Sequence, residues 1–220
     1  MFHLIFAALA GTSLSAAICL ILWKLRMRKL AAAPEVPPPT ELTEWDRRTM
    51  AYHEAGHAVC SRYLPEREPL VRITISPSDE AFGMVRTAPR PHHNETRVSF
   101  ASTMAVMLAG RLAEEMFLNE VTTSCVHDLA AARQIAADMV THFGMGSRTG
   151  FALPPPDFPM SDERLSTINA DIGQLLADAE AEAREVLSER RQTVKELAER
   201  LLCEDTLDAD GIEEFFDRDR

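Results

Sequence analysis

Tyr52 to Val59 reads YHEAGHAV, with two histidines four residues apart and a glutamate directly after the first. On an α-helix residues i and i+4 share a face, so His53 and His57 can aim imidazole nitrogens at one cation. Zinc suits such ligands, and a catalytic zinc usually takes three of them from protein and keeps a position for water. It would lower the pKa of that water from 15.7 towards about 7 and polarise a substrate carbonyl. Glu54 lies about 100° round the helix from His53. Its carboxylate can therefore sit beside the water, as general base and then proton carrier to the leaving amine. Gly56 costs nearly 1 kcal/mol relative to alanine in a helix, which points to a close approach there. H-E-x-x-H also arises by chance in roughly one chain of this length per hundred, so the motif alone does not decide the function.

A third ligand is required. Downstream candidates are Glu114, Glu115, Glu120, His127 and Asp128, and spacing does not choose among them. The residues after His57 lack the glycine and third histidine of the H-E-x-x-H-x-x-G-x-x-H extension. Glu114 and Glu115 follow LAGRLA, either as a carboxylate steadying a zinc-bound histidine or as a surface charge pair with Arg111. Cys60, one turn from His57, reads as core, as do Met104, Met107 and Met116. His92 and His93 read as solvated loop residues.

The elements that must position these groups are mostly helical. Arg47 to Tyr63 carries the motif. LVRITISP, Leu70 to Pro77, alternates like a strand and pairs with FGMVRTA. Thr103 to Phe117 and Asp128 to Phe143 are alanine- and leucine-rich helices, and LPPPDFP, from Leu153, is a rigid loop. Ser161 to Leu202 is a long helical tract whose second helix, RQTVKELAERLL, is expected to pack back on the first. TLDADGIEEFF ends in a short capped helix. The expected fold class is mainly α, a helical metallopeptidase domain with a small β-sheet beside the cleft, preceded by one transmembrane helix.

That helix is expected within Phe2 to Trp23, which contains no Asp, Glu, Lys or Arg. About twenty apolar residues span a bilayer core of about 30 Å. The segment is followed, not preceded, by KLRMRK, which argues against a cleaved signal peptide. The positive-inside rule then puts the body in the cytoplasm, as a single-pass protein of a bacterial inner membrane. The chain divides into an anchor with basic flank (1–29), a proline-rich linker (30–44) and a soluble domain (45–220). Composition is globular, with 46% hydrophobic and 26% charged residues. A formal net charge of -11 argues against a nucleic-acid partner. Cys19, Cys60, Cys125 and Cys203 form no C-x-x-C pair and read as reduced thiols.

RRTMAYHEAGHAV, LAGRLAEEMF, VTTSCVHDLAAARQIAADMVTHFGMG and EAEAREVLSERRQTVKELAERLLCEDTLD occur in that order. Together they resemble the peptidase domain of the FtsH-type membrane-bound zinc metalloproteases, from about Trp45 to Phe216. The resemblance implies Zn2+ as cofactor and Asp128 as third ligand beside His53 and His57, with His127 a neighbour. Asp128 also opens a helix, where a carboxylate can serve as a plain N-cap. The segment Ile73 to Ser76 resembles the family's edge strand beside the cleft, to which an extended, unfolded polypeptide could add. A homo-oligomeric ring is implied as well.

The family also carries an AAA+ ATPase between membrane segment and peptidase. Here prolines fill that place, and none of the nine glycines begins a G-K-[ST] triplet, so there is no P-loop. The expectation is an ATP-independent zinc endopeptidase acting on flexible polypeptides at the membrane, with Glu54 as catalytic base. The alternatives are a peptidase subunit served by a separate ATPase, or a non-proteolytic adaptor, against which the intact His-Glu-His set argues.

Overall fold

Thr43 sets the start of the first helix through a reciprocal capping box. Its Oγ1 accepts from the Asp46 amide at 3.1 Å, and the Asp46 carboxylate accepts from the Thr43 amide at 2.9 Å. Helix α1 therefore runs Glu44–Tyr63, three residues earlier than its patterning suggests. The structure is a computed structural model that describes residues 42–76, 83–89, 94–151 and 160–217. The apolar N-terminal segment, most of the proline-rich linker, His92, His93 and the loop from Leu153 lie outside them. Among the described residues no helix is long and apolar enough to cross a membrane. Contacts divide the chain between Leu42 and Thr43, and everything below belongs to the second unit.

Every residue of α1 from Thr49 to Ser61 is buried, so this helix is covered on all sides. Its main neighbour is α2, Arg97–Leu118, which starts at a Thr96 cap and ends at Asn119 in the left-handed conformation (φ 54°). Gly56 is what lets the two approach. A Cβ there would lie 2.6 Å from Ala109 O and 2.8 Å from Ala113 Cβ. The close approach expected from its helix-interior position is therefore real.

A 3-10 turn, Thr123–Cys125, leads directly into α3, Val126–Thr141. Ser161 caps α4, Asp162–Glu189, which lies against α2 and α3. The chain breaks at Arg190 and continues as α5, Arg191–Glu204. The expectation that α5 packs back on α4 is corrected here, because its main neighbour is α1. Val194, Leu197, Ala198 and Leu201 form its buried stripe, and burial of that apolar face decides where the helix goes.

The sheet has the order β2-β1-β3, with β1 Leu70–Thr74, β2 Met84–Thr87 and β3 Thr206–Asp208. Both pairings are antiparallel, and Ile73 faces Val85 on one side and Leu207 on the other. This corrects the placing of an edge strand at Ile73 to Ser76: β1 is the middle strand, and the edge on the side of the motif helix is β2. The displaced edge on the other side is β3, which three residues make too short to show alternation. Helix α6, Ala209–Asp217, buries Ile212 and Phe216 and closes this end of the unit.

Candidate metal centre

The helical spacing of the two histidines places both rings on the buried face of α1 that looks toward α2 and α3. Their Nε2 atoms are 2.9 Å apart. Asp128, in the first turn of α3, brings Oδ2 to 3.1 Å from His53 Nε2 and 3.4 Å from His57 Nε2. No other trio of metal-ligating side chains gathers among the described residues. Asp128 is not the N-cap of its helix; that position is Cys125, which makes no side-chain cap bond.

Each ring is held from behind. His57 Nδ1 donates to Val106 O at 2.7 Å, and His53 Nδ1 donates to Glu114 Oε1 at 2.7 Å. Glu114 is wholly buried, and it accepts twice more: from Ser124 Oγ at 2.6 Å and from the Thr122 amide at 2.8 Å. Burial alone would raise the Glu114 pKa, but these bonds outweigh it and hold it low.

The protonation pattern tests whether zinc fits. A carbonyl and a carboxylate only accept, so both Nδ1 atoms carry a proton, and each ring when neutral presents its Nε2 lone pair. The two Nε2 atoms and a carboxylate oxygen then converge within 3.4 Å. Three such donors repel unless a positive charge lies among them, a proton shared by His53 Nε2 and Asp128 or a metal cation in its place. The spacings match the edges of about 3.3 Å of a tetrahedron with bonds of 2.0–2.1 Å. Electrostatics agree. Burial alone would lower the pKa of His53, but its bonds to Asp128 and Glu114 and the nearby Glu54 charge raise it to about 9. Burial alone would raise the pKa of Asp128, but the two histidines outweigh it and hold the carboxyl well below the ordinary carboxylate value. The site attracts positive charge.

Two glycines shape the surroundings. A Cβ on Gly110 of α2 would lie 2.6 Å from Nε2 of both histidines, in the space where a shared cation belongs. A Cβ on Gly83, just before β2, would collide with Glu54 Oε1. Glu54 is only 6% exposed. Burial raises its pKa, against the opposing pull of His57 and His53.

The two glutamates after LAGRLA thus divide the roles left open for them. Glu114 steadies His53, whereas Glu115 pairs with Arg184 at 2.9 Å and with Arg111 at 3.5 Å. Glu120 and His127 are exposed and outside the cluster, and Cys60 is core. Gly110, Val106 O, Thr122 and Ser124 were not visible as site residues. A glycine inside an apolar helix was the only local sign, and it did not say what it faces.

Residues 40–215 match peptidase family M41. A bacterial relative from Thermobaculum terrenum, an ATP-dependent zinc metalloprotease FtsH, is 34% identical over 79% of this chain and 29% of its own length. The human ATP-dependent zinc metalloprotease YME1L1 is 35% identical over 79% of this chain and 23% of its own. FtsH 3 of Synechocystis sp. is 34% identical over 78% of this chain and 31% of its own. The chain therefore spans less than a third of the length of these relatives.

Proposed function

The chain belongs to peptidase family M41, with zinc as its cofactor, and from that premise we propose that it is an endopeptidase cutting flexible polypeptides. His53, His57 and Asp128 hold the zinc, and Glu54 is the base. The observation that carries this is the meeting of two imidazole nitrogens and a carboxylate oxygen within 3.4 Å of one another, one residue along the helix from a buried carboxylate.

Zinc, when bound, supplies Lewis-acid polarisation of the scissile carbonyl and acidifies water. The protein's own groups do the rest. His53 and His57 keep their Nε2 lone pairs aimed at the metal because Glu114 and Val106 O fix their tautomers. Glu54, held out of water, is a stronger base than an exposed carboxylate; it takes a proton from water and passes it to the leaving amine. Gly83 leaves bare backbone beside Glu54, so a substrate's main chain can come close. The adjoining β2 is a sheet edge, to which an extended peptide can add by backbone hydrogen bonds with little demand on side chains.

The same proposal includes a membrane tether at residues 1–29, the linker 30–44 and a cytoplasmic peptidase domain 45–220. It also includes cleavage without ATP, since the chain has no P-loop, and it leaves room for a ring of identical chains. A second reading is favoured by the relatives, all described as ATP-dependent: this peptidase is served by a separate ATPase. The test uses the full chain in detergent with an unfolded polypeptide such as casein, with and without chelator and ATP. Cleavage that chelator stops and ATP leaves unchanged supports the first reading. No cleavage until an ATPase is supplied supports the second. No cleavage under either condition removes both.

A further inference from the structure

The third ligand stands on a helix whose start has no ordinary cap. Cys125, the N-cap of α3, makes no side-chain bond to the first turn. The turn before it has a local cap, Thr122 Oγ1 accepting from the Ser124 amide at 3.3 Å, and is tied to the rest of the site by Glu114 of α2. Oε1 accepts from Ser124 Oγ at 2.6 Å and Oε2 from the Thr122 amide at 2.8 Å. The same Oε1 accepts from His53 Nδ1 at 2.7 Å, and Ser124 Oγ lies 3.4 Å from that nitrogen. One buried carboxylate thus ties the first histidine of α1 to the turn that launches Asp128.

We infer that Ser124 is a positioning residue of the metal centre, which locks the Asp128 helix to the His53–Glu114 pair and so sets how tightly zinc is held. Its hydroxyl has one proton. With that proton on Glu114, the oxygen is free to accept from Thr122 Oγ1, 2.8 Å away. The result is a chain of hydrogen bonds from Thr122 to Ser124 to Glu114, met by His53 from the other side. Ser124 is exposed on its outer face, so the lock is fastened from the surface and its loss needs no repacking of the core. Removing the hydroxyl leaves Glu114 one donor short and the turn tied to it by the Thr122 amide alone. Asp128 then no longer arrives pre-placed against the two imidazoles, and the cost appears as weaker metal retention rather than as loss of the fold.

This inference rests on the ligand set proposed above, and the experiment separates the two. Zinc affinity of the full chain in detergent is measured by competition with a chromophoric chelator for wild type, Ser124→Ala, Ser124→Thr and His57→Ala. The thermal midpoint of each metal-free form is recorded alongside. The expected result is about a tenfold loss of zinc affinity in Ser124→Ala, the low end for residues that support a ligand from behind. Ser124→Thr, which keeps the hydroxyl, should restore it, with metal-free midpoints alike. Unchanged affinity in Ser124→Ala, with zinc lost in His57→Ala, overturns the positioning role alone. Equal impairment of the alanine and threonine variants with lowered metal-free midpoints also overturns it, leaving a role in folding only. A wild-type chain that takes no zinc, or a His57→Ala chain that keeps it, overturns both.

Discussion

Replacing Gly110 with alanine adds one carbon, and the structure says where it goes. The Cβ would sit 2.6 Å from Nε2 of His53, 2.6 Å from Nε2 of His57 and 2.7 Å from His53 Cε1. Comfortable contact for a carbon is about 3.5 Å or more, so both rings must retreat by about 0.9 Å. They have nowhere to go without stretching the 2.7 Å bonds to Glu114 and Val106 O. The added methyl also occupies space between the two lone pairs. Loss of those supporting bonds alone lowers metal affinity about 10- to 100-fold, so with steric displacement the total loss should be at least about 100-fold. In turnover a factor of 100 is about 2.7 kcal/mol. Alanine is otherwise the better helix former by about 0.8–1.0 kcal/mol, which offsets part of the strain in the metal-free protein. The assay pairs zinc content after dialysis at fixed free zinc with the thermal midpoint after chelation. The expected Gly110→Ala protein is folded and zinc-poor. Wild-type zinc affinity in that variant would refute the reasoning, because two rigidly backed rings cannot share space with a Cβ and still bind metal.

Two other outcomes follow from buried groups away from the metal. Asp171, buried on α4, gathers the loop after α3 by accepting from the amides of Arg148 and Thr149 and from Ser147 Oγ. Burial would raise its pKa, but those donors outweigh it and hold it below the ordinary value. A depressed carboxylate pKa contributes stability that is complete above the unfolded value, near 3.9, and is lost as pH falls through the folded one. Asp171→Asn should therefore cost about 1.5–3 kcal/mol at pH 7, with the gap in thermal midpoint narrowing below about pH 4; a gap constant across pH contradicts this. Native alkylation, read by mass spectrometry, should label exposed Cys203 and spare Cys60, whose thiol is fully buried and pushed up to about 12 by burial. Fast labelling of Cys60 in the folded chain would contradict its core position.

The parts of this protein that could be read from sequence are those encoded by local spacing. His53, Glu54 and His57 declare themselves because i, i+1 and i+4 have fixed angular relations on a helix, and the hairpin of β1 and β2 shows in alternation. Asp128 lies 75 residues from His53 in the chain, so no period connects them, and only resemblance to a family singled it out. The central place of β1 was hidden for the same reason. Its second neighbour, β3, arrives from the far end of the chain and is three residues long. Glu114 could not be told from Glu115 by sequence, although adjacent helical positions differ by about 100°. One faces the buried histidine and the other the solvent-side arginines. Gly110 and Ser124 act only through what is packed opposite them.

The central claim joins a metal set to a separate base, and one sample tests both halves. In the purified full-length Glu54→Gln variant, zinc per chain and casein cleavage are measured together against wild type. The expected result is zinc retained at the wild-type ratio and cleavage reduced at least about 100-fold, the lower end for loss of a general base. Cleavage at the wild-type rate by Glu54→Gln would contradict it.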